Sequence, residues 1–180
     1  MNSSYKNNLE YGNVFESILF IVKPKSIVEF GILDGYSLGY FLNNTTKETK
    51  IDAYDIFDKF NGNHAKRTVI EKYKKNDNVS IRYGDFYTKH TDIDDNSVDI
   101  LHIDIANTGE TYIHAFEFYL NKLTKNGIMI LEGGSTKRDN VYWMKKYDKP
   151  KIIKVLEQYK DKINIKTIGD FPSITLVTKL

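Results

Sequence analysis

Several acids of this sequence stand where an apolar run gives way to glycine or polar residues. Glu29 lies in Ser26-Ile27-Val28-Glu29-Phe30-Gly31, Asp55 closes Ile51-Asp52-Ala53-Tyr54-Asp55, and Asp85 follows Tyr83-Gly84. Asp104 follows Leu101-His102-Ile103, and Glu132 follows Ile130-Leu131. At the exit of a strand a carboxylate can accept bonds from ribose hydroxyls, take a proton from a hydroxyl or ligate a hard cation. Gly31 and Gly35 frame Ile32-Leu33-Asp34 and can take backbone angles and close approaches denied to other residues, so this turn can lie flat against a ligand. The spacing is G-x-x-x-G, with Glu29 before it and Ser37 after it. It differs from the G-x-G-x-x-G that seats a pyrophosphate on a helix N-terminus, so a nucleoside cofactor without phosphate fits better. Asp55, placed after the next strand, suits a ribose; the same logic would serve NAD.

These residues need a scaffold, and the periodicity supplies one. Val14, Phe15, Ile18, Leu19 and Val22 predict a helix over 11–22, ending near Pro24, with a strand at 26–30. A short helix carries Leu38 and Phe41, a second strand covers 51–55, a helix runs over about 64–75, and a third strand covers 79–83. A polar loop fills 88–97. The run Val98 to Asp104 reads as a fourth strand covered on both faces. Tyr112, Ala115, Phe116, Tyr119, Leu120 and Leu123 give the strongest helical pattern. Asn126-Gly127 then turns into a fifth strand, 128–131. A helix over 150–161 led by Pro150 and two strands, 163–168 and 173–179, joined at Gly169-Asp170-Phe171-Pro172, complete the order. Strands alternating with helices and a closing strand pair predict an α/β, mostly parallel sheet with an antiparallel C-terminal strand.

The chain has 180 residues, 26 basic and 24 acidic, for a net charge of +2. This length suits a single domain over 1–180, with 1–10 a flexible lead. The near-neutral balance supplies no strong overall field towards nucleic acid or anionic lipid and leaves room for local patches. Cysteine is absent, which excludes disulfides, thiolate zinc sites and a cysteine nucleophile. With no apolar run of membrane-spanning length and a polar start, Met1-Asn2-Ser3-Ser4, a soluble cytoplasmic protein is expected.

Glu29-Phe30-Gly31-Ile32-Leu33-Asp34-Gly35-Tyr36-Ser37 resembles motif I of the class I S-adenosylmethionine (SAM) dependent methyltransferases, and the order of elements is similar over nearly the whole chain. The resemblance implies a Rossmann-like methyltransferase fold of seven strands with helices on both faces. It implies SAM binding by Glu29, Gly31, Gly35 and Ser37. Asp55 would take the ribose, Ile56 or Phe57 the adenine face, and Asp85 with the Phe86 amide the adenine edge. The segment from Asp104 to Gly134 resembles small-molecule O-methyltransferases of the macrocin and catechol type, in which an acid at Asp104 binds a divalent metal or orients the acceptor. Asp104, Glu132 and Asn107 could then hold Mg²⁺ or another divalent cation; alternatively the two acids cap the crevice and contact the methionine end of SAM or its acceptor. The relatives' second acid is here Ala106. Candidate bases are Asp104, His102, which shares its strand face, and Glu110 and His114, four apart on a helix. His102 also suits a core role, and Glu110 and His114 a solvent-facing one. Lys137 and Arg138, in an aromatic and basic stretch with Trp143, could read an anionic acceptor or form a solvated face. The expected partner is a small-molecule acceptor, with no membrane or nucleic acid; a homo-oligomer stays open. The rival readings are a SAM-fold protein with degenerate or other activity and a nucleotide-dependent oxidoreductase.

Overall fold

Four of the five residues in Ser26–Phe30 (β1) are buried, as the run Ile-Val-Glu-Phe requires of a strand covered on both faces. The computed structural model describes Tyr5 and residues 9–57, 65–73 and 75–180. Two compact units, residues 1–91 and 92–180, make up the chain.

In the first unit β1 pairs in parallel with Lys50–Asp55 (β2), Ile27 against Ile51 and Phe30 against Tyr54. β2 pairs in parallel with Val79–Tyr83 (β3), whose residues are half-buried or exposed, as an edge strand's are. The helices are Leu9–Val22 (α1), Tyr36–Asn43 (α2), Ala65–Tyr73 (α3) and Phe86–Lys89 (α4). Phe15 of α1 meets Phe41 of α2 edge to face at 5.6 Å; each such fully buried ring contributes about 1.5–3 kcal/mol. α4 occupies the start of the expected polar loop. The flexible lead expected over 1–10 falls, apart from Tyr5 and the first two helical residues, outside the described residues, as do positions 64 and 74 of the expected third helix. Tyr5 is fully buried, 5.4 Å from the ring of Tyr11 and 5.6 Å from that of Phe15.

The second unit contains Val98–Ile103 (β4), Gly109–Phe118 (α5), Leu123–Glu132 (β5), Thr136–Asp139 (α6), Tyr142–Lys146 (α7), Ile152–Tyr159 (α8), Ile163–Ile168 (β6) and Ile174–Lys179 (β7). β4 and β5 are parallel, and β7 is antiparallel both to β5 and to β6. The expected seven-stranded, mostly parallel sheet with its last strand antiparallel is therefore observed. Ile100, Leu101, Ile103, Met129, Ile130 and Leu131 are almost wholly buried, which explains the unbroken apolar runs of β4 and β5.

β5 departs from its expected start. It opens at Leu123, and Asn126-Gly127 lies inside it: Val98 pairs with Leu123, yet Ile100 pairs with Ile128, so β5 bulges between them. A Cβ on Gly127 would come within 2.7 Å of the Val98 carbonyl oxygen, which accounts for glycine there. The preceding helix stops at Phe118, short of the expected Leu123, because Leu120–Lys122 tightens into a 3-10 turn. Among the described residues no helix is long and apolar enough to cross a membrane.

Candidate functional site

The turn after β1 is built from left-handed backbone. Gly31, Leu33 and Gly35 have φ of 89°, 47° and 73°, values that favour glycine and cost a side-chain-bearing residue such as Leu33 about 1 kcal/mol or more. Asp55, at the end of β2, holds the turn in that shape. Its Oδ2 accepts from the Ile32 amide at 2.8 Å and the Leu33 amide at 3.3 Å, and its Oδ1 accepts from the Phe57 amide at 2.7 Å. Tyr73 of α3 braces the far side, its hydroxyl donating to the Gly35 carbonyl at 3.0 Å. A Cβ on Gly35 would lie 2.9 Å from the Tyr73 ring. Fully buried Glu29 accepts from the Ser37 hydroxyl, so the residues flanking the two glycines are tied together. Ile56 is half-buried and Phe57 buried.

Beyond β3, half-buried Asp85 caps α4, Oδ1 accepting from the Tyr87 amide at 3.0 Å. The Phe86 ring packs edge-on against Phe30 at 5.4 Å, so its side chain serves the core and its backbone carries any ligand contact. Glu29, Gly31, Gly35, Ser37, Asp55, Ile56, Asp85 and Phe86 thus all belong to the first unit, at or just past the ends of β1, β2 and β3.

The second unit carries the remaining candidates. Ile103 pairs with Leu131, and half-buried Asp104 and buried Glu132 follow them on neighbouring strands. Arg138, on α6, grips Glu132 side-on: Nε donates to Oε1 at 2.6 Å and Nη2 to Oε2 at 2.8 Å. Nη2 also donates to the Asn107 carbonyl at 3.2 Å. The arginine is 5% exposed, and the Trp143 ring lies 5.1 Å from its guanidinium carbon. Burial pushes the Glu132 carboxyl above its ordinary range, against the pull of Arg138. For Arg138, burial favours the neutral form, but the Glu132 hydrogen bonds, with the charge of Asp104 adding to them, hold the guanidinium above its ordinary value.

The other side chains fall away from this pair. Asn107 Nδ2 donates to the Ile103 carbonyl at 2.9 Å and the Glu132 carbonyl at 2.8 Å, and its Oδ1 accepts from the Ile105 amide at 3.3 Å. It closes the ends of β4 and β5 and does not stand as a cation ligand. Among the described residues no three His, Asp or Glu side chains converge on a metal position. His102 is fully buried within β4. Glu110 is exposed in the first turn of α5, and half-buried His114 stacks 4.6 Å from Phe118. Exposed Lys137 pairs with Asp170 at 2.6 Å, so the two basic residues expected to act together are separated: one in solvent, one in the core.

The sequence reading had no place for three buttresses. The Tyr112 hydroxyl donates to the Glu132 carbonyl at 3.2 Å, and burial raises its pKa well above the ordinary value. Asp139 caps α8, accepting from the Ile152 and Ile153 amides at 3.0 and 2.9 Å. Gly133 and Gly134 both have φ of 105°, and a Cβ on Gly134 would meet the Thr175 hydroxyl at 2.0 Å. The glycine pair itself was the available signal, since two successive glycines after a strand mark a backbone that side chains cannot follow.

Residues 28–132, more than half of the chain, match the family model of a methyltransferase domain. No curated protein matches the sequence. Among solved structures, the methyltransferase PaMTH1 of Podospora anserina, bound to SAH, is similar with a TM-score of 0.70 at 18% identity, over 100% of this chain and 80% of that one. The O-methyltransferase TomG of Streptomyces achromogenes, involved in tomaymycin synthesis and in complex with SAM, gives 0.68 at 12% identity over 94% and 79%. A provisionally assigned rRNA methylase of Clostridium thermocellum gives 0.69 at 18% identity over 100% and 97%. At these identities the likeness establishes the Rossmann-like methyltransferase fold.

Proposed function

Because this chain belongs to the methyltransferase-domain family, we propose that it transfers a methyl group from SAM to a hydroxyl of a small-molecule acceptor. The observation that carries the reading is the turn 31–35 held on Asp55. Its set of acceptors fits this cofactor: acids at 29, 34 and 55 oppose a pyrophosphate but suit a ligand that offers hydroxyls, an ammonium and a sulfonium. The same feature speaks against a nicotinamide dinucleotide. Gly31, Gly35, Glu29 and Ser37 hold the methionine end, Asp55 the ribose, Ile56 or Phe57 the adenine face, and Asp85 with the Phe86 amide the adenine edge.

When bound, SAM supplies a strongly electrophilic methyl group. The protein then has to align the acceptor and remove its proton. Asp104 is the base we assign, because it stands half-buried at the end of β4 while His102 is sealed in the strand and Glu110 is exposed. A small acceptor, as opposed to RNA, is supported by the charge of +2, which provides no strong overall positive field to draw nucleic acid. The absence of cysteine suits a cytoplasmic setting.

Calorimetric titration of the purified protein with SAM, beside NAD, tests the reading. Saturable binding of SAM and none of NAD is the expected result. Binding of NAD alone would overturn it in favour of an oxidoreductase.

A further inference from the structure

In the metal-dependent enzymes that the segment from Asp104 to Gly134 resembles, strand-end acids face a divalent cation. Here the strand-five acid faces a guanidinium. Both Glu132 oxygens are taken by Arg138, at 2.6 and 2.8 Å, and the Asn107 carboxamide is spent on the backbone of β4 and β5. A hard cation such as Mg²⁺ needs oxygens that approach to about 2.0–2.1 Å with room for retained waters, and a side-on guanidinium leaves Glu132 neither the direction nor the space.

Position and electrostatics agree with this. Arg138 lies six residues past Glu132, and Gly133-Gly134, in left-handed backbone, turn the chain so that its side chain points back at the strand end. Ser135 fixes the start of α6, its hydroxyl accepting from the Arg138 amide at 3.0 Å. The charge of Asp104 acts on the same guanidinium. Among the described residues Nη1 is buried with no hydrogen-bond partner, so the arginine offers more donors than its pairing with Glu132 uses.

We propose that Arg138 takes the place of a divalent cation beside Glu132 and Asp104, so that this protein carries its positive charge in the chain and works without metal. Resting on the methyltransferase reading, the inference says how that site is charged. Arginine suits the task because its planar fork matches a carboxylate side-on and its charge survives burial, which a lysine cannot match.

Mn²⁺ titration followed by electron paramagnetic resonance reads this directly, on the native protein and on Arg138→Gln, with Arg138→Gln/Glu132→Gln as control. The native protein should leave the signal of aqueous Mn²⁺ unchanged to millimolar concentration. Arg138→Gln, its fold checked by circular dichroism, should bind one Mn²⁺ per chain, and the double variant should lose it. Stoichiometric Mn²⁺ binding by the native protein, abolished by Glu132→Gln, would overturn the proposal, as would a folded Arg138→Gln that binds none. Should Arg138→Gln not fold, the native titration still decides, with Arg138→Lys, which cannot occupy both carboxylate oxygens, as the second variant. SAM calorimetry with and without EDTA runs alongside: no SAM binding in either would fault the methyltransferase reading and leave the Mn²⁺ result standing, whereas SAM binding lost only in EDTA would overturn the proposal.

Discussion

Asp55 and Glu132 each end a strand, each is nearly buried at 7% and 5% exposure, and their charges are met in opposite ways. Asp55 is held by neutral backbone amides from the turn 31–35 and from Phe57; Glu132 is held by one charged side chain. Amides bound to a carboxylate fix the path of the chain, so Asp55 shapes a cradle. A guanidinium bound to a carboxylate cancels the charge and leaves the backbone to be shaped by other groups, here Tyr112, Asn107 and Thr175. The first unit spends its acid on form, the second on charge.

The largest effect should come from breaking the second arrangement. Glu132→Ala strands a buried guanidinium and should cost about 3–5 kcal/mol of stability, read from the urea midpoint at constant slope. Glu132→Leu with Arg138→Met should recover most of that loss, since an apolar pair of similar volume removes the uncompensated charge; a double variant as unstable as the single would show that the pair's geometry, not its charge balance, matters. Asp55→Ala comes next. It should weaken SAM binding by about 1–3 kcal/mol in calorimetry, and an unchanged affinity would remove Asp55 from the ribose role. Tyr73→Phe, which deletes only the bond to the Gly35 carbonyl, should cost about 0.5–1.5 kcal/mol, seen as a small loss in the same titration. The smallest effect belongs to the exposed pair of Asp95 and Lys122 at 2.7 Å. The Lys122 hydrogen bond and charge hold the Asp95 carboxyl below 3.8, so its contribution is complete above that value and fades as pH falls through the lowered one. Asp95→Asn should therefore lower stability slightly at neutral pH and leave it unchanged in acid below the lowered value, which flattens the acid limb of the stability profile.

The contrast also marks what the sequence discloses. The turn 31–35 is legible because strand, glycines and the acid of the following strand recur at short range, and a carboxylate at the end of β2 has one face to address. The pairing of Glu132 with Arg138 is not, because an arginine in the polar run Ser135-Thr136-Lys137-Arg138-Asp139 looks the same whether it faces water or the core. Only the turn made by Gly133 and Gly134 decides it, and that turn is set by Thr175, far along the chain. Asn126-Gly127 misleads for a related reason: a turn dipeptide inside a strand marks a bulge, and only the partner strand tells the two apart. The seven strands were legible as elements; helix ends and the two short helices α6 and α7 were not, since segments of four or five residues carry no periodicity.

The Thr175 hydroxyl donates to the Gly133 carbonyl at 2.9 Å across 42 residues of sequence. At about 5–20 residues per second of synthesis, roughly 2–8 s pass after Gly133 is made before its partner exists. During that interval the nascent chain already holds Glu132 and Arg138 but lacks the strand that bends them together, so the charged corner of the molecule is assembled last, and a cell that stalls or clips the chain before β7 is left with the cradle of the first unit and an unfinished second half.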